Sequence, residues 1–249
     1  MSGHNRWSKI KHKKAASDAR KSKGWTKLLK AVTLAASTGG GDPAHSPSLR
    51  NAMDKARAEG VPNDTVQRAI KKGTGELGPI SLEELLYEAY GPKGTGVVVE
   101  ILTDNRNRTA SEIRHLLDKN NAKLAASGAV TFQFKRRGTV VFEPGAVDED
   151  RLLEAALEVG AEDVQSDPDS VTVLTEPAHL MAVKEALDKL GFKAAAAEVA
   201  MIPDNLIRLE GREAESMVKL INALEEHDDV QNVYSNFDID EKEMEALAS

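Results

Sequence analysis

Near the start of the chain, three short stretches each place their apolar residues on one helical face. Trp25, Leu28, Leu29, Val32 and Ala36 recur at helical spacing until Gly39, Gly40, Gly41 and Pro43 stop the pattern. Ser46 then offers an N-cap ahead of a first-turn Pro47. Leu49, Ala52, Met53 and Ala56 form a second apolar face, and Gly60 fits the position just past a helix end. A third helix, capped by Asn63 or Asp64, turns Val66, Ala69 and Ile70 inward and Arg68, Lys71 and Lys72 outward, and ends at Gly73. The pattern predicts a small helical bundle over residues 20–75.

After Gly78 the period changes. Residues 97–103 form a β-rich run, 110–117 are helical and 130–134 alternate as a strand, giving one βαβ unit. Residues 81–90 read two ways: Ser81 and Glu84 make a capping-box pattern, while the positions from Leu85 alternate before the Gly91-Pro92 turn and predict a hairpin strand. Residues 140–142, 152–159, 164, 171–174, 180–190 and 192–201 read strand, helix, strand, strand, helix, strand, the ferredoxin-like order. Residues 206–209, 217–224 and 230–237 make a second βαβ unit able to close one sheet with the first. The expected fold is therefore α+β in three domains. These are an N-terminal basic helical domain over residues 1–75, a ferredoxin-like domain from 76–136 plus 204–249, and a second ferredoxin-like domain, 137–203, inserted in it.

Charge sharpens this division. Residues 1–75 hold 16 Lys/Arg against 5 Asp/Glu, or +11, so an overall charge of −7 leaves −18 on the remainder. A basic element for a polyanion is thus joined to an acidic body that phosphate repels. The densest charge is Arg6, Lys9, Lys11, Lys13, Lys14, Arg20, Lys21, Lys23, Lys27 and Lys30, opposed within that segment only by Asp18, with His12 and both tryptophans, Trp7 and Trp25, among them. Such a segment releases counterions on binding nucleic acid, and an aromatic amid cations can stack on an unpaired base. Trp25 also fits the core of the first helix, and that reading is preferred for it. The predicted nucleic-acid contacts are these cations with His12 and Trp7, together with Arg68, Lys71 and Lys72.

The remaining chemistry is sparse. With no cysteine the chain has no disulfide, thiol nucleophile or thiolate metal site, which fits a reducing compartment. No run approaches the roughly 18 apolar residues of a membrane helix, and the basic start lacks the apolar core of a signal peptide, so a cytoplasmic protein without membrane association is expected. The six histidines show no i, i+4 pair, and Glu225, Glu226, Asp228 and Asp229 read as solvated surface, so neither metal nor cofactor is expected. Residues 73–78 match a dinucleotide fingerprint in spacing but follow a helix rather than a strand, and fit a helix end. Phosphate-loop, zinc-protease and serine-hydrolase templates are absent. Arg106 and Arg108 stand where a strand gives way to a helix. They suit either a phosphate contact or a capped turn in which Asp104 pairs with an arginine. Lys135, Arg136 and Arg137 are placed in a hairpin.

Residues 3–14, Gly-His-Asn-Arg-Trp-Ser-Lys-Ile-Lys-His-Lys-Lys, resemble the opening of the YebC/PmpR family. Further matches are Gly39-Gly40-Gly41-Asp42-Pro43, Ala69-Ile70-Lys71-Lys72-Gly73, Tyr90-Gly91-Pro92, and residues 102–109 and 228–236, so the resemblance runs nearly end to end. The family commonly opens Gly-His-Ser-Lys-Trp; Asn5 and Arg6 depart from this and keep the positive charge. The resemblance implies a three-domain, non-enzymatic regulator of gene expression, acting either on translation through the ribosome and its RNA or as a DNA-binding transcriptional regulator. The acidic body suits a protein partner; a pure protein-interaction module and, remotely, a phosphate-handling enzyme using residues 104–108 are the alternatives. Oligomeric state is not legible.

Overall fold

The computed structural model describes residues 18–79, 81–167 and 170–248. It opens with α1 (Asp18–Gly39), α2 (Pro47–Ala58) and α3 (Asn63–Gly73). Ser46 caps α2 as the sequence predicts, its Oγ accepting from the Leu49 N–H at 3.3 Å. For α3 the expected cap is displaced: Pro62 occupies the N-cap position with extended backbone and no side-chain bond, so Asn63 and Asp64 are already inside the helix. Val32, Ala36, Leu49, Met53, Ala56, Val66 and Ile70 form the core of this head. Trp25 packs on its edge and donates Nε1–H to the Glu59 carbonyl at 3.1 Å, so it serves the core reading. Gly73 lets α1 and α3 touch, because a Cβ there would lie 2.5 Å from both the Ala36 Cβ and the Thr33 carbonyl oxygen.

The body continues with β1 (Glu83–Tyr90), β2 (Gly96–Thr103), α4 (Arg106–Lys119) and β3 (Lys123–Leu124). Next come β4 (Phe134–Phe142), α5 (Glu149–Glu158), β5 (Asp163–Asp167), β6 (Ser170–Thr175), α6 (Leu180–Lys189) and β7 (Ala196–Pro203). The last elements are β8 (Ile207–Arg208), α7 (Arg212–Glu225), β9 (Val230–Ser235), β10 (Phe237–Asp238) and α8 (Glu241–Ala248). One antiparallel sheet has the order β5-β6-β4-β7, the ferredoxin-like arrangement expected for that stretch. Val140, Phe142, Val171 and Val173 on its inner face pack with Leu152, Val183 and Leu187 from its helices.

The other antiparallel sheet, β3-β1-β2-β9, departs from the expected assembly. Residues 83–90 form a full strand beside β2, so the hairpin reading holds and the capping-box reading does not. That strand takes one of the two inner places in the sheet; of residues 206–209, expected to be part of it, Ile207 and Arg208 pair with β10. Residues 130–134 are likewise not a strand of this sheet. The buried Glu88 carboxylate captures the N–H groups of Gly128, Val130 and Thr131 at 2.6, 2.6 and 2.8 Å. A ladder would need those donors, and the chain instead makes a short 3-10 turn at Thr131–Gln133. Lys135, Arg136 and Arg137 consequently lie within β4, not in a hairpin, and pair with Asp204, Glu100 and Glu162 at 2.8, 3.2 and 2.8 Å.

Three hydrophobic clusters fill the head and the two sheet-and-helix units, and a smaller one joins the two sheets through Val98, Val130, Phe134 and Tyr234 with Ala200 and Met201. None of the four contains residues of both head and body. Among the described residues no helix is long and apolar enough to cross a membrane.

Candidate nucleic-acid interface and the junction beneath it

The predicted contacts separate into three groups. Arg6, Trp7, Lys9, Lys11, His12, Lys13 and Lys14 lie outside the described residues, and Arg20, Lys21 and Lys23 lie on α1. Arg68, Lys71 and Lys72 stand one turn apart on α3, exposed, with no ion pair among the described residues. Their i, i+3, i+4 spacing puts all three on one face, opposite Val66, Ala69 and Ile70.

Lys27 and Lys30 are placed differently from the expectation of free cations. Their α1 face is turned to the body: the Lys27 ammonium donates to the Glu225 carbonyl, and Lys30 donates to the Asp229 carboxylate and, at 3.2 Å, to the Asp228 carbonyl. Lys30 is 18% exposed and Asp229 only 3%. Asp229 is thus a buried hub, not the solvated surface acid that its run of neighbours implied.

Local structure explains why. Glu100 pairs with Asn232 but Ile101 with Val230, so Gln231 is an extra residue in β9, a β-bulge. The bulge terminates regular pairing where the Asp229 carbonyl accepts from Leu102 N–H at 2.8 Å, and the Asp229 side chain meets the start of α4. There its Oδ2 accepts from the Thr109 hydroxyl at 2.6 Å, the Arg108 guanidinium at 2.8 Å and the Thr103 hydroxyl at 3.2 Å. Burial pushes the Asp229 carboxyl up in pKa. The donors Lys30, Thr109 and Arg108 outweigh that and hold it well below the usual carboxylate range. Thr103 and Thr109, which close an otherwise apolar strand and helix face, supply two of the donors, but nothing in their spacing names Asp229 as the acceptor.

The same geometry shows what residues 104–108 do. Asn105, rather than Asp104, caps α4 by accepting from the Arg108 N–H at 3.1 Å. Asp104 pairs with Arg108 at 3.1 Å, as in the capped-turn reading, and Asp229 is the stronger partner because it is buried. A phosphate would have to displace Asp104 and Asp229 from Arg108, with Glu112 a third acid at 3.8 Å, while Arg106 is exposed. His227 lies alongside: its Nδ1 accepts from the Asp229 N–H at 3.1 Å, so Nε2 carries the proton and faces Glu112 at 3.0 Å. Glu112, His227 and Asp229 therefore converge, which the sequence spacing of the histidines did not show. Nδ1 and the Asp229 oxygens are already used by protein donors, and a cation there would confront Lys30 and Arg108. These side chains line an open cleft of about 500 Å³ between α1 and the body.

A basic helical head joined by polar contacts to a two-sheet α+β body defines a multidomain protein built around a division of charge. The chain belongs to the YebC/PmpR family: the profile described as "TACO1/YebC protein N-terminal domain" matches residues 5–76 and "TACO1/YebC second and third domain" matches residues 82–237. Among its relatives are proteins from Geotalea uraniireducens and Geobacter sulfurreducens, each called "probable transcriptional regulatory protein". Each is 52% identical over 247 residues, covering 99% of this chain and all of the relative. A crystal structure of a conserved hypothetical protein from Aquifex aeolicus superposes with a TM-score of 0.82 at 43% identity, over 90% of this chain and 93% of that one.

Proposed function

We propose that this protein is a non-enzymatic, nucleic-acid-binding regulator of gene expression that works in the cytoplasm on translation, through the ribosome and its RNA. The observation that carries the reading is the exposed row Arg68, Lys71 and Lys72, without an ion pair among the described residues, on a head of charge +11 attached to a body of −18. Cations of this kind bind phosphate, while the body is repelled by a long duplex. Ribosomal RNA accompanied by basic ribosomal proteins offers both signs of charge to one bound molecule, which also gives the acidic body a protein partner. The relatives' name favours a second reading, a DNA-binding transcriptional regulator. No described helix presents a set of base-reading side chains that sequence alone would identify, so charge supplies affinity in either case.

Crosslinking in cells followed by sequencing of both RNA and DNA tests the two together. The expected result is enrichment of ribosomal RNA, crosslinked through residues 6–30, with co-sedimentation on ribosomes at physiological salt. Enrichment at a few promoters with ribosomal RNA at background would establish the transcriptional reading instead. For the division of the chain, we propose the head 1–75, the domain 76–136 with 204–249, and the inserted domain 137–203, with the insert's first boundary moved back to Phe134, where β4 begins opposite Pro203. Support comes from the Asp204 N–H donating to the Gln133 carbonyl at 2.8 Å, which puts the two connections side by side.

A further inference from the structure

We propose that the acidic segment from Glu225 to Asp229 is an internal stand-in for a phosphate backbone, covering the Lys27 and Lys30 face of α1 and yielding it to a nucleic acid. This rests on the reading of the head as a polyanion binder, and adds that the binding face is partly masked by the protein itself.

Three observations meet here. First, the body reaches α1 through oxygens: the Glu225 and Asp228 carbonyls and the Asp229 carboxylate take the ammonium groups of Lys27 and Lys30. A phosphodiester offers anionic oxygens at regular spacing to the same two donors, which lie one turn apart on α1, where the body offers two backbone carbonyls and one carboxylate. Second, none of the hydrophobic clusters of the described residues spans the junction. The head core draws on residues 25–70 alone and the body cores on none of them. A second ion pair between head and body among the described residues, Lys55 with Glu198 at 3.1 Å, is half exposed on both sides. A junction of ion pairs beside an open cleft is weakened by salt and by a competing polyanion, whereas a packed apolar interface is not. Third, Asp229 does not depend on Lys30 for its burial. Arg108, Thr103 and Thr109 remain on its Oδ2 when Lys30 leaves, so the body can release the head without stranding an unpaired carboxylate.

The consequence is a two-state head. In the closed state α1 is docked with Lys27 and Lys30 covered, while the α3 row faces outward. In the open state the lysines of α1 join that row. A polyanion binds the open state better and draws the population toward it.

The test uses the full-length chain and polyuridylate as probe. Asp229→Asn weakens the hold on Lys30, and Asp228→Asn makes the same change of charge one residue away while leaving the Asp229 carboxylate in place. Asp229→Asn is expected to bind polyuridylate roughly tenfold more tightly than Asp228→Asn at equal salt. Because Asp229→Asn can also disturb the fold, a second measurement uses the otherwise wild-type chain. Fluorophores on Ala58→Cys and Lys119→Cys, unique because the chain has no cysteine, report head against body. Energy transfer is expected to fall as polyuridylate is added, and to fall with salt alone. Equal affinity of two folded variants, or polyuridylate bound with no change in transfer, overturns the latch and leaves the binding reading standing. No binding by the wild type or by either variant at low salt overturns both. Binding by Asp229→Asn where the wild type shows none supports the latch most directly.

Discussion

Replacing Glu88 with glutamine probes how the turn between the two sheets is held. Glu88 is 3% exposed, and its two carboxylate oxygens receive the N–H of Gly128 on one side and those of Val130 and Thr131 on the other. A glutamine amide has one accepting end. If it keeps Val130 and Thr131, its NH2 faces the Gly128 N–H, donor against donor; flipped, it loses two bonds instead of one. Losing the charge-assisted bond to the part-buried Gly128 N–H, setting donor against donor there and weakening the other bonds should together cost about 1.5–3 kcal/mol. The pH dependence follows from the folded group. Burial pushes the Glu88 carboxyl up, but the Gly128, Thr131 and Val130 bonds prevail and its pKa lies below the ordinary 4.5. Its contribution is therefore fully present above about pH 4.5 and is lost as pH falls through the lower folded value, so wild type and Glu88→Gln should converge in acid. Urea unfolding at pH 7 and pH 3 measures the difference, and hydrogen exchange of the Gly128, Val130 and Thr131 amides localises it. A shift under about 0.5 kcal/mol at pH 7 with those amides still protected would refute the reasoning.

Gly73→Ala should destabilise the head by about 1–3 kcal/mol, since its Cβ would meet Ala36 and a backbone carbonyl, and thermal unfolding of the head measures it. Neutralising Arg68, Lys71 and Lys72 to glutamine should make the log–log salt dependence of polyanion binding shallower by roughly 2 units, at about 0.7–0.9 per phosphate contact, with the fold intact because all three are exposed. The same change at Lys9, Lys11, Lys13 and Lys14 should remove roughly 3 units, and an unchanged slope would place binding elsewhere. Replacing residues 137–203 by a short Gly/Ser linker should leave the outer halves able to fold together. A soluble product without cooperative unfolding counts against the insertion.

The division of roles along the chain was written locally. Ser46 with Pro47 starts α2, the apolar faces of α1 to α3 repeat at helical spacing, and the strand–helix order that forms the β5-β6-β4-β7 sheet follows from period alone. These depend on neighbours within a turn or a strand, where periodicity and capping act. The charge division is equally local, since it is a count.

Tertiary structure decided what depended on distant partners. Residues 130–134 alternate like a strand, yet Glu88, some forty positions earlier, takes their N–H groups and makes a turn. Residues 206–209 have strand character, but Ile207 and Arg208 pair with β10, while β1 and β9 are the strands that flank β2. Asp229 stands in an acidic run that reads as surface, and only the bulge at Gln231, the threonines of β2 and α4, and a lysine nearly two hundred residues away make it a buried acceptor. A carboxylate leaves water only where several donors converge on it, and convergence of that kind belongs to the folded chain and has no signature in the spacing of residues along it.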